Sequence, residues 1–109
     1  MAGPVLPGKR AVLEELAKTL SGPRKKELDA SQRRIGIRKE SWFLQSTPQG
    51  DLVIFYAEGD DVPKAIAAWA ASKDPFDVWL KGQLQEISGI DWNQPPPGPF
   101  PSQHLRYGY

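Results

Sequence analysis

Two side chains in this sequence suit proton transfer, Glu40 and His104. Glu40 falls inside a strand pattern, two residues before Trp42, so the two share a face. A carboxylate turned toward an aromatic pocket is harder to ionise, and its pKa climbs toward the range where it can act as acid or base. The plainer expectation is a glutamate at a strand edge, in water or paired with Arg38 or Lys39. His104 is the only histidine, and an imidazole titrates near physiological pH. It follows a proline-rich stretch close to the chain end, where rigid support is scarce. One histidine per chain cannot build a multi-histidine metal site, although two copies could pair theirs. Asp77 sits in the first turn of a predicted helix, and Asp60-Asp61 precede another, where capping accounts for all three. No further carboxylates follow Asp60-Asp61 at the spacing of a cation loop. There is no cysteine, which removes thiol nucleophiles, disulfides and thiolate metal sites together. No metal and no cofactor is therefore expected. A phosphate-binding glycine loop, a Ser-His-Asp context and a nucleotide fingerprint are also missing.

Any ligand would meet aromatic walls. Trp42, Tyr56, Trp69 and Trp79 are the candidate ligand-binding residues, with Phe43, Phe55 and Phe76 beside them. Aromatics at helix or strand spacing mostly build core, so only some of these can line a pocket.

The elements that must position them begin with a hairpin. Residues 35–44 and 51–57 read as two strands around a turn at Thr47-Pro48-Gln49-Gly50. Trp42 and Leu44 face one way and Phe43 the other; Val53 and Phe55 oppose Leu52, Ile54 and Tyr56. A sheet with one wet face alternates apolar and polar residues, and this one is apolar on both faces. Helices can cover one face. A second copy of the chain is the simplest cover for the other, which makes a homodimer the expected assembly.

Val5-Leu6 reads as a short first strand limited by Pro4 and Pro7. Val12, Leu13, Leu16, Ala17 and Leu20 form a helical stripe, Gly22-Pro23 interrupts it, and a weaker pattern resumes over residues 24–34. Asp61 with Pro63, and Asp74 with Pro75, each announce a helix start. Ser88-Gly89 ends the second of these helices. Residues 94–102 are a proline-rich connector, and residues 104–109 read as a last short strand. The chain is thus one domain over residues 1–93, with residues 94–109 as its connector and arm. The fold class is α+β, on the ferredoxin-like βαββαβ plan: helices on one side of an antiparallel sheet.

The strings Gly36-Ile37-Arg38-Lys39-Glu40-Ser41-Trp42-Phe43-Leu44, Gly50-Asp51-Leu52-Val53-Ile54-Phe55-Tyr56 and Ser72-Lys73-Asp74-Pro75-Phe76-Asp77-Val78-Trp79 resemble a small uncharacterised family of the dimeric α/β-barrel superfamily. The likeness covers residues 7–87. It implies two sheets packed face to face in a dimer and a cleft between each sheet and its helices. Relatives in that superfamily include cofactor-independent monooxygenases, lactone isomerases, polyketide cyclases and haem enzymes, so the fold alone assigns no reaction. Here the first strand is unusually short, and the proline-rich tail replaces a simple return strand.

Charge is unevenly spread. Residues 9–39 carry a net +6 and the rest of the chain −5, within an overall +1. A solvated helix face explains this split, and no helix-turn-helix, zinc-finger or RNA-binding motif accompanies it, so no nucleic-acid partner is expected. The start lacks a signal-peptide apolar region, and the longest apolar runs are too short to span a bilayer. A soluble cytoplasmic protein without membrane contact is the expectation. Functionally, the residues suit a homodimer that binds a small apolar or aromatic metabolite, with acid/base chemistry through Glu40 or His104. The alternative is a structural or regulatory dimer whose cleft is filled by its own side chains. Cavity content discriminates the two.

Overall fold

The computed structural model describes residues 1–94. His104, the proline-rich connector and the expected last strand lie outside the described residues. The elements run β1 (Ala2–Val5), α1 (Arg10–Ser21), α2 (Lys25–Ile35), β2 (Ile37–Thr47), β3 (Gly50–Gly59), α3 (Val62–Ala71) and α4 (Pro75–Ser88). This is an α+β arrangement of four helices and a three-stranded antiparallel sheet in the order β1-β3-β2. It corrects the six-element plan in one respect. Helices come in pairs, so the described order is β-α-α-β-β-α-α. The first pair arises because Gly22 and Pro23 stop α1, and the chain re-enters a helix at Lys25 rather than continuing bent. The first strand also lies earlier than expected, at Ala2–Val5 rather than Val5-Leu6. Its register pairs Gly3 with Val53 and Val5 with Asp51. Met1 and Phe55 exchange both backbone hydrogen bonds, so by alternation Pro4 falls opposite Leu52 at a position that needs no donor toward β3. The proline is therefore tolerated at the sheet edge.

The hairpin is aligned as the sequence pattern requires. Trp42 pairs with Phe55 and Leu44 with Val53, and these four join the core under the helices. Phe43 pairs with Ile54 on the opposite face, which the core does not reach. There Phe43 is 56% and Tyr56 43% exposed, while Leu52 and Ile54 are half-buried. The core itself gathers Leu13, Leu16 and Leu20 of α1, Trp69 of α3, Phe76, Leu80, Leu84 and Ile87 of α4, and Val5 and Val53 of the sheet.

Two glycines set how β2 enters the sheet. Gly36 ends α2 with φ of 88°, a left-handed turn that suits glycine. A Cβ on Gly59 would run into the Gly36 carbonyl oxygen, so the end of β3 and the start of β2 meet backbone to backbone. The register slips between Ile37 and Lys39. This bulge lets Ile37 enter the core while Glu40 still shares the face of Trp42.

The start signals of the second helix pair are realised. The Asp61 carboxylate accepts from the Lys64 N–H at 3.1 Å, and that of Asp74 from the Phe76 N–H at 3.0 Å. Lys81 is buried and closes the junction between the two helices. Its ammonium donates to the carbonyls of Ala70 at 2.8 Å and Ser72 at 2.9 Å, at the C-terminal end of α3 where the helix itself supplies no donors.

Candidate functional site

A cleft of about 660 Å³ opens between the helix side of the sheet and helices α2 and α3. Its inner wall is aromatic. Trp42 meets Phe55 edge to face at 5.2 Å between ring centres, Phe55 meets Trp92 at 5.6 Å, and Trp92 lies 6.2 Å from Trp69. Val62 and Ile66 of α3, and Leu28 and Ile35 of α2, complete the apolar lining. Each ring is aimed by its element. Trp42 and Phe55 are a cross-strand pair on the covered face, and Trp69 lies on the buried stripe of α3. Trp92 is anchored by its indole N–H, which donates to Ser88 Oγ at 3.0 Å.

Glu40 stands at the mouth of this cleft. Its carboxylate accepts from the Trp42 indole N–H at 2.8 Å. The residue is exposed to solvent, and protein atoms crowd it only from the cleft side. That crowding pushes its pKa above the ordinary glutamate value, and hydrogen bonds from Trp42 and Gln32 pull it back only in part. A carboxylate so placed holds a proton more readily than one in water and can hand it to, or take it from, a molecule in the cleft.

The expected site residues divide. Glu40, Trp42 and Trp69 are brought together. Tyr56 borders the cleft, but strand alternation turns its side chain to the far face, opposite Ser41. Trp79 belongs elsewhere. The Arg24 guanidinium lies 4.0 Å over its ring and 5.1 Å over that of Phe76, so Trp79 fixes the α1–α2 junction to α4 and lines no part of the cleft. His104 lies outside the described residues.

Three contributors escape a reading of the sequence: Trp92, Gln32 and Met1. A tryptophan three residues beyond a helix-ending glycine is the one available signal, because such caps often carry an apolar contact back to the helix. Nothing local marks Gln32 among the polar residues of α2.

Asp77 also proves to be more than a helix-start residue. It is fully buried and accepts from Ser31 Oγ at 2.5 Å, Ser72 Oγ at 2.6 Å and Arg34 Nη2 at 3.3 Å. Burial alone would raise its pKa, but these hydrogen bonds and the charge of Arg34 outweigh it and leave the carboxyl below its ordinary value.

Among the described residues, no group of histidine, aspartate and glutamate side chains is gathered to hold a metal ion, and no helix is long and apolar enough to cross a membrane. No protein-family model, curated protein or solved structure matches the chain.

Proposed function

We propose that this protein is a homodimer that binds a small apolar or aromatic metabolite in the cleft beside Glu40, with Glu40 serving the ligand as hydrogen-bond partner or proton carrier. The observation that carries this reading is the pairing of a raised-pKa carboxylate with a cleft of about 660 Å³ walled by Trp42, Phe55, Trp69 and Trp92. A cleft of that volume also speaks against one filled by its own side chains. The dimer rests on the far face of the sheet, where Phe43, Ile54, Leu52 and Tyr56 form an apolar surface that no described helix covers. Sheet packed on sheet in that way is the dimeric α/β-barrel arrangement, and the finer ferredoxin-like plan needs a fourth strand from the residues beyond 94. The strand order β1-β3-β2 is compatible with that plan, since β1 is an edge strand.

Three of the four tryptophans line the cleft, so intrinsic fluorescence reads its occupancy. Titration with uncharged aromatic compounds such as indole and naphthol should quench the emission saturably. Trp42→Ala should weaken binding by at least about tenfold, the loss of one stacked aromatic contact. Quenching that is linear and unchanged in Trp42→Ala would remove the cleft as a binding site. Sedimentation equilibrium at micromolar concentration tests the assembly, and a single species of the chain mass would sink the dimer.

A further inference from the structure

Three polar groups on the wall of the aromatic cleft already have partners. The Trp42 indole N–H donates to Glu40 at 2.8 Å, and that of Trp92 to Ser88 Oγ at 3.0 Å. Ser31, which also lines the cleft, gives its hydroxyl proton to Asp77. Trp69 differs. It is only 8% exposed, yet among the described residues its indole N–H meets no acceptor. No buried side-chain nitrogen or oxygen among them lacks a partner, so this N–H is not sealed inside the core. It borders open space, and the open space beside Trp69 is the cleft. Val62, Ile66 and Trp69 line that cleft at helical spacing, so α3 holds the donor on a rigid element.

An indole N–H can donate but cannot accept. A ligand that displaces water from it must offer an acceptor in exchange or lose affinity. The neighbours decide which kind. Leu80, Leu84 and Trp92 line the same cleft and are buried, and no cationic side chain is among the buried residues of this wall. An anion there would lose its hydration with no opposite charge to replace it. A neutral oxygen carries no such cost. We infer that the ligand of this cleft is an aromatic carbonyl compound, a ketone, lactone or amide, whose oxygen accepts from the Trp69 indole N–H while its ring lies among Trp42, Phe55 and Trp92. This inference rests on the reading of the cleft as a binding site and adds the chemical class of the ligand.

The compounds 1-indanone and indane share one ring framework, and only the first carries a carbonyl. Each of the four tryptophans gives one indole N–H signal in a proton–nitrogen correlation spectrum. Single replacements Trp42→Phe, Trp79→Phe and Trp92→Phe assign the other three signals, which identifies that of Trp69 without replacing it. Saturating 1-indanone should move the Trp69 proton downfield, as a new hydrogen bond does. Indane should not, and it controls for the ring current of a bound aromatic. Trp69→Phe should lower the ratio of 1-indanone to indane affinity about fivefold, the scale of one neutral hydrogen bond. Trp42→Ala should weaken both compounds and leave that ratio unchanged. Equal shifts of the Trp69 proton with the two compounds, or an affinity ratio that survives in folded Trp69→Phe, would overturn the carbonyl class and leave the cleft standing. Failure of both compounds to bind, or binding that ignores Trp42→Ala, would overturn the cleft itself and the inference with it.

Discussion

Glu40 and Asp77 are two carboxylates served by neighbouring residues of one helix, and they are driven in opposite directions. Ser31 of α2 donates to Asp77, and Gln32, the next residue, lines the same cleft as Glu40. Asp77 points into the protein, where two hydroxyls and a guanidinium surround it. Glu40 stands exposed at the rim of a cleft, where the Trp42 indole donates to it. The first is held below its ordinary pKa and the second above it. Burial alone therefore does not mark a working carboxylate; the number of donors supplied against it does. Asp77 is a satisfied anchor joining α2 to the α3–α4 junction. Glu40 keeps a deficit that a ligand can fill.

The sharpest way to break that comparison is Asp77→Asn. The amide keeps the shape but cannot accept from two hydroxyls and a guanidinium at once. Breaking a buried charged network should cost about 3 kcal/mol or more, read as a lower urea midpoint. A midpoint equal to the wild type would mean that the Ser31, Ser72 and Arg34 contacts contribute nothing net. A smaller effect is expected at the edge of the same anchor. Asp74→Ala should destabilise by about 1 kcal/mol through loss of the cap on Phe76. Asp51→Ala should cost less, since its ion pair with Arg10 is long, at 3.5 Å, and Arg10 is exposed. Equal midpoints for these two variants would count against Asp74 as the start of α4.

Acid titration sharpens the contrast because the two groups have opposite signs. The pKa of Asp77 is depressed below 3.8, so its contribution is complete above that value and is lost as pH falls through the folded-state pKa. The pKa of Glu40 is raised above 4.5, so its ionised form costs stability at neutral pH. That cost fades as pH falls through the raised value toward 4.5. Stability against pH should show a small gain on the mildly acidic side and then a steeper loss. In Asp77→Asn the steep acid limb should be shallower. A curve falling monotonically from neutral pH would contradict the assignment to Glu40.

How much of this is legible in the sequence follows from which forces are local. The strand parity of residues 42–44 and 52–56, the caps at Asp61 and Asp74 and the stop at Gly89 depend on a few adjacent residues, and each has a direct counterpart in the fold. Parity separates Trp42 from Phe43 but cannot say which side the helices take, so pattern alone groups Tyr56 with Trp42 across the sheet. Helical spacing shows that Trp79 turns inward but not that Arg24 will cover it. Ser31 and Asp77 are 46 residues apart, and Lys81 reaches carbonyls across a junction; both are tertiary contacts with no local signature. Glu40 is legible because its position next to Trp42 in the strand's face is itself local. Its neighbour Gln32 is not, because it arrives from another element.

The smallest expected effect on stability is also the most telling. Glu40→Gln keeps the length and the acceptor oxygen, so the Trp42 indole retains a partner. The wild-type carboxylate is costly to ionise where it stands, and the amide removes that cost. The variant should therefore be as stable as the wild type at neutral pH, or slightly more so, and should lack the small gain on mild acidification. Ligand binding should respond differently. Quenching of the cleft tryptophans by an aromatic ligand that hydrogen-bonds Glu40 should depend on pH in the wild type, with a midpoint above 4.5, and should be flat in the variant. A side-chain amide at this position cannot change its charge, so any pH dependence that survives belongs to another group. A variant that is destabilised at neutral pH, and whose ligand titrations still follow the wild-type profile, would make Glu40 an anchor like Asp77 and erase the distinction between the two carboxylates.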